Sequence, residues 1–381
     1  MREKKVLLVA TVQSHIAQFH RPLVEMLHAH GYEVHVAAYD NLAEKNGLNL
    51  DFVEKVFNIP FSRSPISIDN ISAYNKLKAV IDSTDYEVIH CNTPMGGVIA
   101  RLAGRKARKK GTKIFYTAHG FHFYKGASLK NWILFYPIEK LLSLATDTLI
   151  TITQEDYRLA LDSFYCNVEY IHGVGVDPCR FKTISEESKA SLREKMGFLQ
   201  DAKIILCIGE LNANKNQVMA IRMMRKIIQT YPNAILLIAG NGPKESYLQE
   251  QIKAEDVENN VRLLGYVTNL QEYQNIADVQ VSCSFREGLP LNVIESMLSG
   301  NPVVATLNRG HRELIQSGNN GFIVKYNDYQ KMGEYVLMLL EDMSLCNMIS
   351  TAGYNFAQDY TYACIKKELE DIYFGKGDVL C

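Results

Sequence analysis

None of the chain's 8 cysteines belongs to a C-x-x-C pair; they stand singly at Cys91, Cys166, Cys179, Cys207, Cys283, Cys346, Cys364 and Cys381. That scatter indicates neither a zinc site nor a disulfide framework. Several lie in apolar runs, where a reduced thiol packs as a small hydrophobe, so a cytosolic protein is expected. No G-x-G-x-x-G follows the first apolar run, KVLLVA, which argues against a nicotinamide dehydrogenase. No apolar run reaches the ~20 residues of a spanning helix. The nearest, NWILFYPIEKLLSLATDTLITIT, is broken by Pro137, Glu139, Lys140 and Asp147 and reads as a surface-seeking or core helix followed by a strand. MREKKVLLVATVQSH enters a strand-like pattern too soon for a signal peptide. The net charge of −1 leaves no bulk attraction to nucleic acid.

What is present is a soluble globular composition, 47% hydrophobic and 22% charged, in 381 residues. Single cores stop growing at ~250–300 residues, so two domains are expected. Charge is uneven: residues 1–185 carry 22 Lys and Arg against 18 Asp and Glu, and residues 186–381 carry 19 against 24. Much of the first excess is RLAGRKARKKGTK, residues 101–113. Such a segment suits anionic lipid headgroups, or is a solvated helix end whose cations suit the helix dipole.

Short apolar runs recur between helical segments: KVLLVA, EVHVAAY, EVIHC, KIFYTA and DTLITI, then, after a polar interval near 172–188, KIILCIG, AILLIAG, VRLLG, DVQVSCS, NPVVAT and GFIVK. Continuous apolar character marks strands buried on both faces, as in parallel sheets. The expected architecture is α/β: two tandem Rossmann-like domains, 1–175 and 188–360, with ligands at the strands' carboxyl ends and in the cleft between domains. A last helix within 361–381 is expected to pack back across the junction.

The most specific stretch is SFREGLPLNVIESMLSGNPVVAT, which reads as strand, glycine turn, helix and strand. Gly288 permits a sharp turn, and Pro290 starts the helix near Leu291. Glu287 then lies at the turn and Glu295 inside the helix, where helix N-terminal amides attract anions and carboxylates accept from sugar hydroxyls. By themselves the two read equally as an ordinary turn glutamate and an ordinary helix glutamate.

With GELNANKNQ, AGNGP and VRLLGYV preceding it in that order, this stretch resembles glycosyltransferase family 4, the retaining nucleotide-sugar transferases of the GT-B fold, whose E-x7-E motif Glu287 and Glu295 match. TVQSHIAQFHRPL and TAHGFHFYKG look most like bacterial capsule and exopolysaccharide transferases. The resemblance implies that Lys215, after the strand end at Gly209, meets a donor diphosphate, together with the amides of Gly288, Leu289 and Asn292. It implies Glu295 on the ribose, Tyr266 and Val267 at the base, and Glu287 and His119 beside the transferred sugar as catalytic residues. Gly240 and Gly242 read as a tight turn beneath the ligand. Glu210 stands where many members carry arginine; it is read as orienting Lys215 or Asn214, or as contacting the acceptor. Arg286 is a second candidate cation. The first βα turn has His15, Gln18 and His20 where the family often has glycines; with His122 they are acceptor-side candidates, or helix caps.

No D-x-D occurs, so the resemblance implies a metal-independent enzyme with no cofactor beyond its donor. It further implies a nucleotide-sugar donor, UDP first with GDP and dTDP as the alternatives, carrying an N-acetylated amino or deoxyamino sugar such as N-acetylfucosamine. The implied acceptor is a polyprenyl-diphosphate-linked saccharide at the inner face of the cytoplasmic membrane. Segments 101–113 and 124–144, with Phe121, Phe123, Tyr124, Trp132, Phe135 and Tyr136, are the candidate lipid dock, the aromatics being alternatively core. A UDP-sugar epimerase and a non-catalytic sugar-binding protein are the rival readings.

Overall fold

The computed structural model describes residues 4–44 and 47–375. Cys381 and the rest of 376–381, assigned by sequence to the last helix, lie outside the described residues. The chain divides into two compact units, residues 1–175 with 362–381, and residues 176–361.

The first unit holds seven parallel strands: β1 Lys5–Val12, β2 Glu33–Tyr39, β3 Lys55–Asn58, β4 Val88–Asn92, β5 Lys113–Ala118, β6 Thr148–Thr151 and β7 Asn167–Tyr170, ordered β3-β2-β1-β4-β5-β6-β7. Its central strands are buried along nearly their whole length, which is why they read as continuous apolar runs. The helix Tyr362–Phe374 completes this unit: Tyr373 Oη lies 2.6 Å from His90 Nδ1, Glu368 pairs with His172 at 2.5 Å, and Phe374 stacks on His30.

The second unit holds β8 Ile204–Ile208, β9 Ile235–Ala239, β10 Val261–Gly265, β11 Val279–Ser282, β12 Val303–Thr306 and β13 Phe322–Val324, parallel and ordered β10-β9-β8-β11-β12-β13. Residues 176–187, read from sequence as part of a polar interval, pack into this unit: Val176 and Phe181 join Met297 and Tyr360 in one buried cluster. In both units the strand order reverses beside the first strand, between β1 and β4 and between β8 and β11. Adjacent loops diverge to opposite faces there, leaving a crevice at the carboxyl ends of the strands.

Of the segments proposed for a lipid dock, the structure reassigns several residues. Arg101 is buried, its guanidinium 2.8 Å from Glu139 and over the Tyr116 ring, so it is a core cation. Arg108 is held by Asp147 and by the Leu144 and Thr146 carbonyls. Phe121 and Phe123 are buried and stack on each other at 4.7 Å, while Trp132, Phe135 and Tyr136 pack against that core. The exposed large apolar groups of the helix Leu129–Ser143 are instead aliphatic: Leu129, Ile133, Leu134, Ile138 and Leu141.

Candidate functional site

Each crevice carries a cluster of polar side chains, and the two differ in kind. In the second unit, Lys215 follows β8 and Glu287 follows β11, and their side chains meet: Lys215 Nζ lies 2.6 Å from Glu287 Oε1. The meeting is built by backbone. Gly240 has φ 144°, and a Cβ there would lie 2.1 Å from the Gly209 carbonyl oxygen, so only glycine lets the β9 loop pass under β8. Gly209 in turn bears the Lys215 stem, whose Cδ lies 3.1 Å from the position of an added Cβ. Asn214 ties the loop to the motif: its carbonyl accepts from Phe285 N and its amide donates to the Arg286 carbonyl.

The helix Leu291–Leu298 begins where Gly288 and Pro290 predict. The amides of Gly288 and Leu289 donate to no acceptor among the described residues. With Lys215 they form an anion-ready turn, its cation partly neutralised by Glu287. Asn292 is occupied elsewhere, since its side-chain amide donates to the Ile208 carbonyl and locks the helix to β8. The Glu295 carboxyl has no hydrogen-bond partner among the described residues, and burial pushes it up to about 7, Arg180 opposing. Arg180 donates to the Thr268 carbonyl and Gln271, bringing a cation toward Glu295 that sequence did not single out, since it lies in the stretch read as linker. Tyr266 is 63% exposed and Val267 half-buried, open to a planar group. Glu210 is exposed, and its carboxylate pairs with neither Lys215 nor Asn214; Lys215 is oriented by Glu287. Arg286 is likewise exposed and makes no ion pair among the described residues.

The first unit's crevice is a histidine cluster. His119 Nε2 lies 3.2 Å from Asn92 Oδ1 and 3.2 Å from His15 Nε2. A proton on His119 Nε2 serves both, donating to the Asn92 oxygen and to an unprotonated His15 Nε2. His20 closes the group. Burial and the neighbouring imidazoles hold His15 and His20 well below the usual range, and burial takes His119 down to about 4. The cluster is therefore uncharged at neutral pH. Two of its polar atoms, His20 Nε2 and Asn92 Nδ2, are buried without a partner among the described residues, as befits atoms that complete their bonding with a ligand or ordered water. The three histidines also offer ligand nitrogens within 4.8 Å of one another, a set that could hold a transition metal.

The cluster rests on a strained junction. Thr93, at φ 64°, leads into the helix Pro94–Ala103, and its Oγ1 accepts from Thr11 N. A β-branched residue at positive φ costs about 1–3 kcal/mol and persists only where its surroundings fix it. His15 and Gln18 lie within the helix Gln13–Phe19, and His20 caps its C-terminus through backbone alone, its N–H donating to the Ile16 carbonyl; none of the three side chains caps the N-terminus, where the Ser14 amide donates to Asn41 Oδ1. Gln18 is exposed and apart from the cluster, and His122 stacks on Phe135 at 4.8 Å. Asn92 and Thr93 were not singled out by sequence; EVIHCNTP carries no signal separating them from an ordinary strand end.

Two doubly wound units, one with an anion-ready turn built from an E-x7-E helix, define a glycosyltransferase of the GT-B fold. Residues 188–356 match the family model described as Glycosyl transferases group 1, and residues 5–153 match Glycosyl transferase 4-like. The chain is 42% identical to a Bacillus subtilis (strain 168) protein named "Putative glycosyltransferase EpsD", over 97% of this chain and 96% of that one. It belongs to glycosyltransferase family 4. It is 22% identical, over 81% of this chain and 82% of the other, to the UDP-Gal:alpha-D-GlcNAc-diphosphoundecaprenol alpha-1,3-galactosyltransferase of Escherichia coli. In fold it matches Anabaena Alr3699/HepE in complex with UDP, with a TM-score of 0.79 at 20% identity, covering 97% of this chain and 99% of that chain.

Proposed function

We propose that the protein is a retaining, metal-independent transferase that moves a sugar from a UDP-sugar to a polyprenyl-diphosphate-linked saccharide in capsule or exopolysaccharide synthesis. The observation that carries the donor reading is the Lys215–Glu287 pair beside the open amides of Gly288 and Leu289. A bound diphosphate would draw Lys215 onto its oxygens and release Glu287 toward the sugar. Leaving-group charge is then met by a lysine and preorganised amides, which do not require a metal. Glu295 takes the ribose hydroxyls and Tyr266 the base. His119, held neutral, gives its Nε2 proton to a sugar hydroxyl that replaces His15 as acceptor. The departing phosphate oxygen takes the proton of the incoming hydroxyl, so no protein nucleophile is needed, and positioning supplies the rest of the rate.

The lipid acceptor has support in the E. coli relative's named acceptor and in the exposed Leu129, Ile133, Leu134 and Leu141, with Arg105, Lys106 and Lys109 nearby in the chain. An amino or deoxyamino sugar is the proposed donor group. Among the described residues no helix is long and apolar enough to cross a membrane, and peripheral binding at the cytoplasmic face is the proposed mode. The test pairs UDP-sugars with a polyprenyl-diphosphate-linked saccharide and reads the product by mass spectrometry and anomeric NMR, with and without EDTA. Retained configuration and EDTA-insensitive turnover support the reading. Conversion of UDP-sugar without acceptor would instead favour an epimerase.

A further inference from the structure

The first unit contains a second cavity, of about 410 Å³, beside the histidine cluster and formed by the loops after β1, β3, β4 and β5. Its size is that of a small-ligand site, ~300–1,000 Å³. Its wall is largely apolar, with Val12, Pro65, Pro94, Met95 and Phe135. Arg63 is its one permanently charged lining residue.

Three arginines of the unit are committed to carboxylates: Arg21 is paired with Asp51, Arg101 with Glu139, and Arg108 with Asp147. Arg63, Arg105 and Arg158 are exposed without an ion pair among the described residues, and of these only Arg63 lines the cavity. Three residues on, the same connection displays Ile66 at 92% exposure and Ile68 at 79%, and the following helix adds Ile71 at 63%. A fixed cation on an apolar cavity, continued by bare isoleucines, fits an amphiphile with an anionic group next to a hydrocarbon chain. A planar guanidinium binds phosphate oxygens in a bidentate fork.

Resting on the proposed function, we infer that Arg63 binds the diphosphate of the lipid-linked acceptor, with its sugar in this cavity beside His15 and the first isoprene units on Ile66, Ile68 and Ile71. The charge complementarity is one-sided: the cavity offers a single cation among apolar walls, suited to a group whose other end is hydrocarbon.

The test measures kcat/KM of the full chain for two acceptors bearing the same sugar, one a polyprenyl diphosphate, the other an alkyl glycoside without phosphate. The ratio between them is the readout, because general damage to the enzyme lowers both. Arg63→Gln is expected to reduce that ratio about 10- to 100-fold through acceptor KM, the scale of one lost charge-assisted contact, and Arg63→Lys to recover part of it. Ile66→Ser with Ile68→Ser is expected to raise KM severalfold for a long-chain polyprenyl diphosphate and little for a sugar diphosphate without lipid, separating lipid from free anion. An unchanged ratio in Arg63→Gln would overturn the inference while leaving the transferase reading intact. Transfer by the unaltered enzyme to the glycoside alone would remove the acceptor reading, and this inference with it.

Discussion

The two crevices share a topology and differ in electrostatics. In the second unit the residues are charged and poised, with Lys215 pinned on Glu287 and Glu295 carrying a carboxyl raised to about 7. In the first unit the residues are imidazoles kept neutral by burial, with His119 down to about 4 and His90 to about 3. The contrast follows from the ligands proposed for each. A diphosphate leaving group calls for fixed positive potential, whereas sugar hydroxyls call for donors and acceptors without net charge. One reversal of strand order thus serves both purposes, and the side chains at the loop starts decide which.

The largest effect is expected at the charged site. Lys215→Ala should lower kcat by about 10²–10³-fold, the scale of losing one preorganised group at a developing charge. It should also leave Glu287 half-buried without its cation. Single-turnover kinetics at saturating UDP-sugar measure it. If His119→Asn costs as much while sparing UDP binding, the division of labour between a charged and a neutral crevice fails.

The same contrast explains how much could be read from sequence. All six strands of the second unit appear as continuous apolar runs, as do the five strands β1, β2, β4, β5 and β6 of the first. The edge strands β3 and β7 do not, because KVFN is largely exposed and NVEY buries only Val168, so neither is covered on both faces. The turn before the helix Leu291–Leu298 was legible because its signals stand in one contiguous stretch, with Gly288 and Pro290 just ahead of the helix start. The pairing of Lys215 with Glu287 joins residues 72 positions apart and was not. Arg180 and Arg63 were invisible for another reason. Each stands in a polar connection, and only the packed loops show that the first approaches Glu295 and the second lines a cavity.

Next in size is an acid lability centred on the first unit. His15, His20, His90 and His119 all have folded values below the free 6.5, so below that pH the unfolded chain binds protons that the folded unit refuses. Stability is whole above pH 6.5 and falls as pH drops toward 4, by up to about 1.4 kcal/mol per pH unit for each histidine that charges only on unfolding. Hydrogen exchange at pH 7 and pH 5 should show protection lost first in β1, β4 and β5. Equal loss in β8 and β11 would remove the contrast, although the buried His311, also lowered to about 4, contributes a smaller acid effect there.

The smallest effect runs the other way, at Glu295. Its folded value lies near 7 against an ordinary 4.5, so the folded unit holds a proton there that the unfolded chain releases. The resulting cost is absent below pH 4.5, grows as pH rises from 4.5 to 7, and is complete above 7. Glu295→Gln should therefore raise stability at pH 8 by about 1–2 kcal/mol, a value reduced from the full shift because the residue is only half-buried, and change nothing at pH 4.5. In binding the sign reverses. Ribose hydroxyls donate best to the ionised carboxylate, so UDP affinity should rise between pH 6 and 8 in the unaltered protein and be weaker and flat in Glu295→Gln. Paired melting curves and UDP calorimetry across that range separate the two contributions. A variant that gains stability at pH 8 and loses affinity there would mark Glu295 as a carboxylate held at a cost to folding for the sake of the nucleotide, which none of His15, His20, His90 and His119 would mimic, because burial keeps their neutral forms prevailing at that pH.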